Sequence, residues 1–314
     1  MPIIIPDGEL GGLYERLSDA GAAVLHEEQA LQQDIRPARI ALLNLMPAES
    51  MERTETQWLR YMSHSVLQVE PILLKFDNDD RERDGASRAD ELCRYKPFKK
   101  VIGSAIDALI ITGDNLELRQ NEETNEPEPL PFEDISYAEQ LADVIDWART
   151  NVRSTIYSCL ASHFALDYLY GLDRQIGDTK IFGVYDHDVD HEVVSDFTEG
   201  MDDHIKAPHS RWGNVATEAF ETTPVEVLAV NKQVGWLMAQ DANEAGGQDL
   251  FIQGHPEYER NDLKVEHRRD GGFWQDQPEN YYNAEGRPVL TWANDARTIH
   301  TNWIASLYRH FSGQ

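Results

Sequence analysis

Cysteine is scarce in this chain: Cys93 and Cys159 are the two among 314 residues. Two thiols do not make a disulfide framework, and a reducing cytoplasm is the expected location. Positive charge is also thin, with 28 Lys and Arg against 56 Asp and Glu, a formal net charge of −28. Such a field repels nucleic acid and anionic membranes, so neither is an expected partner. It repels an anionic coenzyme as well, unless local cations counter it. The acidic excess is dispersed, over residues 77–80, 122–128 and 186–192 among others. We read it as a solubility device, with adaptation to high salt as the preferred explanation, because screening removes the self-repulsion. No apolar run approaches the roughly eighteen residues of a membrane span. Residues 1–10 carry no basic region ahead of their short apolar run and do not read as a secretory signal. No Gly-rich loop follows an expected strand, and the eleven His show no zinc-type spacing, so neither cofactor nor metal is expected. The run Asp186–His191 reads as an exposed acidic segment.

What is present is a core: 41% of the residues are apolar. Apolar runs at 39–45, 67–76 and 106–112 read as buried strands, the second interrupted by Pro71. Helical periodicity covers 52–63, 135–150, 262–269 and 292–311. Further strands are expected at 181–185, 225–230, 235–239 and 250–253. Strands alternating with helices argue for a parallel sheet covered on both faces. Residues 1–37 read as a leader packing on that core, with short helices at 10–17 and 27–33, and 270–314 as a C-terminal extension that begins with a polar excursion over 274–288. The acidic, Pro-containing stretch 118–130 reads as an exposed loop. With no internal repeat or flexible linker, residues 1–314 are taken as a single domain.

The stretch Ser154–Asp167 organises the rest. The sequence from Val152 to Ser158 reads as a buried strand, and Leu160 to Tyr170 places Leu160, Phe164, Ala165, Leu166 and Leu169 at helical spacing. Cys159 stands at the junction. A sharp strand-to-helix turn holds a side chain beyond the sheet edge, beside the amides that open the helix. Those amides, beginning with Leu160, favour a thiolate and offer an oxyanion site. A lone Cys is equally an ordinary small core residue. In Phe251–Arg260 an apolar run ends at Gly254 and delivers His255 and Glu257. A His there can accept a thiol proton, and a carboxylate two residues on can fix its tautomer. A Cys, His, Glu order suits a triad on an α/β sheet.

Several motifs carry a resemblance. Cys159, Lys180–Ile181–Phe182–Gly183–Val184, Ala207–Pro208–His209–Ser210–Arg211 and Gly254–His255–Pro256–Glu257–Tyr258 follow one another along the chain. Outside them lie Asp34–Ile35–Arg36–Pro37, Asn44–Leu45–Met46–Pro47, Thr54–Glu55–Thr56–Gln57, Glu279–Asn280–Tyr281–Tyr282 and Asn302–Trp303. Together they resemble, almost end to end, the homoserine O-acyltransferase family of the MetA type, the transsuccinylases and transacetylases of methionine biosynthesis.

The resemblance implies a flavodoxin-like core related to class I glutamine amidotransferases. It implies ping-pong transfer through an acyl-Cys159, with His255 as base and Glu257 orienting it. It places Arg269 on the acceptor's carboxylate, with Arg268 adjacent, and Lys180 and Ser210 in the substrate pocket. It also makes residue 117 informative about the acyl donor: a glycine leaves room for the distal carboxylate of succinyl-CoA, whereas Glu117 fills that space and favours acetyl-CoA. The expected partners are small molecules, L-homoserine and acyl-CoA, together with a second copy of the chain in a homodimer.

Three departures surround the acyl pocket. Residues 48–53 lack the lysine the family places after Asn44–Pro47, leaving the oxyanion to backbone amides or to Arg53. The elbow reads Cys159–Leu160–Ala161–Ser162–His163, and His163, one turn from the Cys, is a rival base or a buried structural residue. Asp114–Asn115 replace the family's Ala-Pro. Other readings are a glutamine amidotransferase-like hydrolase, a non-catalytic protein on the same scaffold, and acylation of serine rather than homoserine, one methylene being worth only about 1–3 kcal/mol in a pocket.

Overall fold

The computed structural model describes residues 3–5, 12–30, 36–65, 67–79, 94–121, 126–270 and 277–309. Cys93, Trp274 and parts of the leader, of the 77–80 run and of the 122–128 run lie outside them. In chain order the elements are β1 (Ile3–Ile5), α1 (Leu13–Asp19), β2 (Val24–His26), α2 (Glu27–Ala30), β3 (Ala38–Leu43), α3 (Ala48–Met62), β4 (Val69–Lys75), β5 (Lys96–Pro97), α4 (Phe98–Val101) and β6 (Ala108–Ile111). There follow β7 (Leu118–Gln120), β8 (Pro127–Pro129), α5 (Ala138–Asn151), β9 (Ser154–Ser158), α6 (Leu160–Tyr170), β10 (Gln175–Val189) and β11 (His204–Asn214). The chain continues with β12 (Glu226–Asn231), β13 (Gly235–Ala242), β14 (Gln248–Ile252), α7 (Asp262–Arg269) and α8 (Ala293–Arg309).

One sheet runs β11-β10-β12-β13-β14-β9-β6-β3-β4-β1-β2, with β5 beside β4. From β14 to β2 every pairing is parallel. From β14 to β11 every pairing is antiparallel. The α/β architecture thus holds with a mixed sheet, its antiparallel flank built from β10 to β14. Pro71 does not interrupt β4. It stands opposite Ile40, and among the described residues the other edge of β4 is paired only at Val69, with β1, and at Leu74 and Lys75, with β5.

Alternation along the central strands sends side chains to two separate cores. Ile40, Leu42, Ile110, Ile156 and Ile252 pack under Trp58, Leu59 and Met62 of α3 and Trp303, Ile304 and Leu307 of α8. Ala41, Leu43, Leu109, Ile111, Tyr157 and Phe251 pack under Leu141, Val144 and Ile145 of α5 and Ala161, Ala165 and Leu166 of α6. Both faces of the sheet are covered, which is why its inner strands are apolar almost without interruption. The indole of Trp303 also donates to Ser154 Oγ at 2.8 Å, tying α8 to β9.

Three further sequence expectations need revision. The leader does more than pack on the core, because Ile3–Ile5 and Val24–His26 add two parallel strands to the sheet. The stretch expected as an exposed loop forms the hairpin β7–β8 and contributes Leu118, Arg119, Gln120 and Pro127 to the wall of a cavity. The acidic run after Tyr185 continues β10, where exposed Asp186 and Asp188 alternate with buried His187. The two aspartates face Lys206 and His204 across the strand pair.

Candidate active site

The cavity opens at the carboxyl ends of the parallel strands and has a volume of about 660 Å³. Cys159, His255, Glu257, Lys180, Ser210, Arg269 and Glu117 all line it. The structure therefore gathers these seven side chains at one cavity.

Cys159 joins β9 to α6 with φ 50° and ψ −113°. A non-glycine residue at positive φ is held against a steric penalty of about 1–3 kcal/mol. Its amide donates to Ile252 O at 2.7 Å, while its carbonyl accepts the amides of Ser162 and His163 at 2.9 and 3.1 Å. These bonds at both ends of the residue hold the bend. The amides of Leu160 and Ala161 open α6, where a helix has no internal acceptor for them. Gly113, after β6, backs the elbow closely: a Cβ there would lie 3.0 Å from Cys159 Cβ and 3.6 Å from its Sγ.

His255 follows β14, the neighbour of β9, and its amide donates to Pro208 O at 2.7 Å. Its Nδ1 lies 2.8 Å from Glu257 Oε1. Its ring stacks on Tyr258 at 4.3 Å between centroids. Burial alone would push the imidazole down, but the adjacent Cys159 and Glu257 outweigh it and raise its pKa well above 6.5. An imidazolium so held is the partner a thiolate needs.

His163 is different. Fully buried, with Nε2 2.9 Å from Gln253 Oε1, it is pushed down by burial to a pKa of about 3. It packs inside the fold and does not line the cavity. His209 is likewise internal: it accepts from Arg211 Nε at 3.1 Å, faces His187 at 3.1 Å, and is held well below 6.5 by burial.

Of the neighbouring pair Arg268 and Arg269, only Arg269 lines the cavity. Its Nε donates to Asp270 at 2.8 Å, and Lys180 Nζ donates to the other oxygen of the same carboxylate at 3.0 Å. Asp270 escaped the sequence reading, since an Arg-Arg-Asp helix end reads as solvated surface. Arg53 lies 3.8 Å from Asp262. Asp262 also accepts Gln57 Nε2 and the Glu259 amide, both at 2.5 Å. Glu117 is buried, and its two oxygens accept the amides of Trp212 and Gly213 at 2.9 and 2.7 Å. Asp114, one of the departures, accepts from Tyr137 Oη at 2.8 Å and lines the same wall. No helix among the described residues is long and apolar enough to cross a membrane.

The fold is shared with solved structures of low sequence identity. A putative GMP synthase protein from Thermoplasma acidophilum superposes with a TM-score of 0.50 at 13% identity, over 89% of this chain and 100% of that one. The glutaminase domain of Trypanosoma brucei CTPS gives 0.50 at 12%, over 87% and 94%. Sequence relatives are closer. The homoserine O-succinyltransferase of Photobacterium profundum is 35% identical over 97% of this chain and 92% of its own length. The homoserine O-acetyltransferase of Jannaschia sp. is 33% identical over 98% and 94%. The family model described as homoserine O-succinyltransferase matches residues 2–312. With that match spanning nearly all of it, the chain belongs to the homoserine O-succinyltransferase family.

Proposed function

We propose that this enzyme transfers an acetyl group from acetyl-CoA to the hydroxyl of L-homoserine, in methionine biosynthesis, through an acyl-Cys159 intermediate. The observation that carries the reading is Cys159 on a strained elbow beside a His255 whose imidazole is fixed by Glu257, all facing one cavity. Cys159 Sγ attacks the thioester carbonyl, and the opening amides of α6 receive the oxyanion. The C–S bond to coenzyme A breaks, and His255 protonates the departing thiolate. The acceptor hydroxyl then gives its proton to His255 and attacks the acyl-Cys. Sγ leaves and the ester is released. Arg53 turns toward Asp262, which favours backbone amides over Arg53 for the oxyanion.

The acetyl preference rests on Glu117. Relatives in this family carry both the succinyltransferase and the acetyltransferase name. Glu117 puts a carboxylate onto two backbone amides in the cavity wall, with the cations of Arg174 and Arg211 acting on it. That is the environment the distal carboxylate of a succinyl group would need, and here the protein's own side chain occupies it. Two like charges about 4 Å apart cost several kcal/mol at intermediate dielectric, enough to set the preference.

Intact-protein mass spectrometry after separate exposure to acetyl-CoA and succinyl-CoA tests both parts. An acetyl adduct, lost on adding L-homoserine, is expected. Absence of any adduct removes the covalent route, and a kcat/KM higher for succinyl-CoA removes the donor assignment.

A further inference from the structure

Three buried polar atoms near the reacting corner have no hydrogen-bond partner among the described residues: Glu257 Oε2, His300 Nε2 and Trp58 Nε1. They come from separate parts of the chain. Trp58 stands on α3 and His300 on α8, and their rings meet edge to face at 5.2 Å between centroids. Tyr61, also on α3, stacks on the same imidazole at 4.7 Å. Trp58 and Glu257 line one cavity. The charge of Glu257 acts on both His300 and Tyr61, which puts its carboxylate near this aromatic group.

The donors and acceptors can be assigned. His300 Nδ1 lies 2.6 Å from the carbonyl of Ala296, which only accepts, so Nδ1 carries a proton. Burial pushes the ring's pKa down to about 4, so at neutral pH it is uncharged and Nε2 presents a lone pair. Glu257 Oε1 takes the proton on His255 Nδ1, and Oε2 keeps its own lone pairs. Trp58 Nε1 only donates. Two acceptors cannot satisfy one another. A water molecule can satisfy all three atoms: its hydrogens go to Oε2 and Nε2, and its oxygen accepts the indole N–H. About three bonds are the usual complement of a buried water.

We propose that Glu257 Oε2, His300 Nε2 and Trp58 Nε1 together bind one buried water, and that His300 and Trp58 are thereby positioning residues for the carboxylate that orients His255. The positioning role rests on the acyl-transfer reading above, whereas the water site stands without it. A carboxylate oxygen left without a donor in this place costs free energy and lets the group turn away from the imidazole. With the water bound, both oxygens of Glu257 are held.

A high-resolution crystal structure of the wild-type enzyme tests the site. One ordered water is expected within hydrogen-bond distance of all three atoms. A direct bond between His300 and Glu257 overturns the site, and so does an Oε2 whose ordered water does not reach His300 or that has none. Kinetics test the role. His300→Leu should slow acylation of Cys159 about fivefold, the worth of one neutral hydrogen bond, with the KM of both substrates within about twofold of wild type. His300→Gln, which keeps an acceptor, should recover most of the loss. Trp58→Phe, which keeps a ring and removes the N–H, should cost about as much as His300→Leu. In a Glu257→Ala background either change should cost less than about twofold, because both act through Glu257. Melting temperatures show which variants have folded, and either one suffices for the comparison. An equal loss in both backgrounds overturns the positioning role, as does no loss in a folded variant. Absence of any acyl-Cys159 in wild type would overturn the transfer reading and the positioning role with it, and the crystal structure would still decide the water site.

Discussion

The corner that holds Cys159 and His255 and the wall formed by residues 112–130 face one cavity but are built differently. In the corner, both residues stand at the ends of neighbouring parallel strands, and main-chain bonds to Ile252 and Pro208 hold their amides. In the wall, the hairpin β7–β8 is a separate two-stranded sheet. Glu117 reaches across to the amides of β11, and Asp114 to the hydroxyl of Tyr137. The geometry of the corner is thus fixed by topology, whereas the shape of the wall depends on side chains spanning between elements. If Cys159, His255 and Glu117 act as proposed, the wall can change its donor without disturbing the corner, whereas a change in the corner costs the chemistry.

The sharpest break in this comparison is at the corner itself. Cys159→Ser should leave the melting temperature near wild type and lower turnover by about a thousandfold or more, since a serine hydroxyl is scarcely ionised without stronger activation. Retention of most turnover would remove Cys159 as nucleophile. His255→Ala should cost about as much. Glu257→Ala should be milder by about ten- to a hundredfold, because an orienting group is partly bypassed. Equal losses in the two would make Glu257 more than an orienting group.

On the wall, Glu117→Gly should raise the succinyl-CoA to acetyl-CoA ratio of kcat/KM by at least about tenfold. It frees the Trp212 and Gly213 amides for the incoming carboxylate. It should also lower stability by about 1–3 kcal/mol, because two amide donors lose their acceptor. A fall in stability with no change in the donor ratio would make Glu117 a brace and nothing more.

An effect on stability alone is expected at Asp262, where burial lifts the carboxyl to a pKa of about 7 from its ordinary 3.8. A group whose folded pKa is raised contributes stability below its unfolded pKa and loses it as pH rises toward the folded value. Wild type should therefore lose ground to Asp262→Asn between about pH 4 and pH 7, followed by thermal melts across that range. A difference that moved in the opposite direction would contradict the burial argument.

The corner could be read before any coordinates because its signals are local. A β-rich run, a Cys and a helical period predict the elbow, and an apolar run ending at Gly254 predicts where His255 emerges. Helix α7 was legible over Asp262–Arg269 for the same reason. The wall was not, since Pro127 and Pro129 suggest a loop and only pairing with the short strand β7 makes β8 a strand. The leader strands are three residues each, too short for a period to show. His187 was hidden by its exposed acidic neighbours, although their alternation is itself a strand signal. His300 could not be distinguished from the other polar residues of α8 until the fold showed which of them turn inward.

The bond from the Cys159 amide to Ile252 O has a consequence for how the enzyme ages and fails. It joins the strand that carries the thiol to the strand that carries the imidazole, at the carboxyl ends of two central strands. That proton can exchange with deuterated solvent only when the ends of these two strands part, so its exchange rate reports the opening of the corner. Loss of catalytic competence on heating should then coincide with exchange at this single amide, and the two halves of the reacting pair should separate together or not at all.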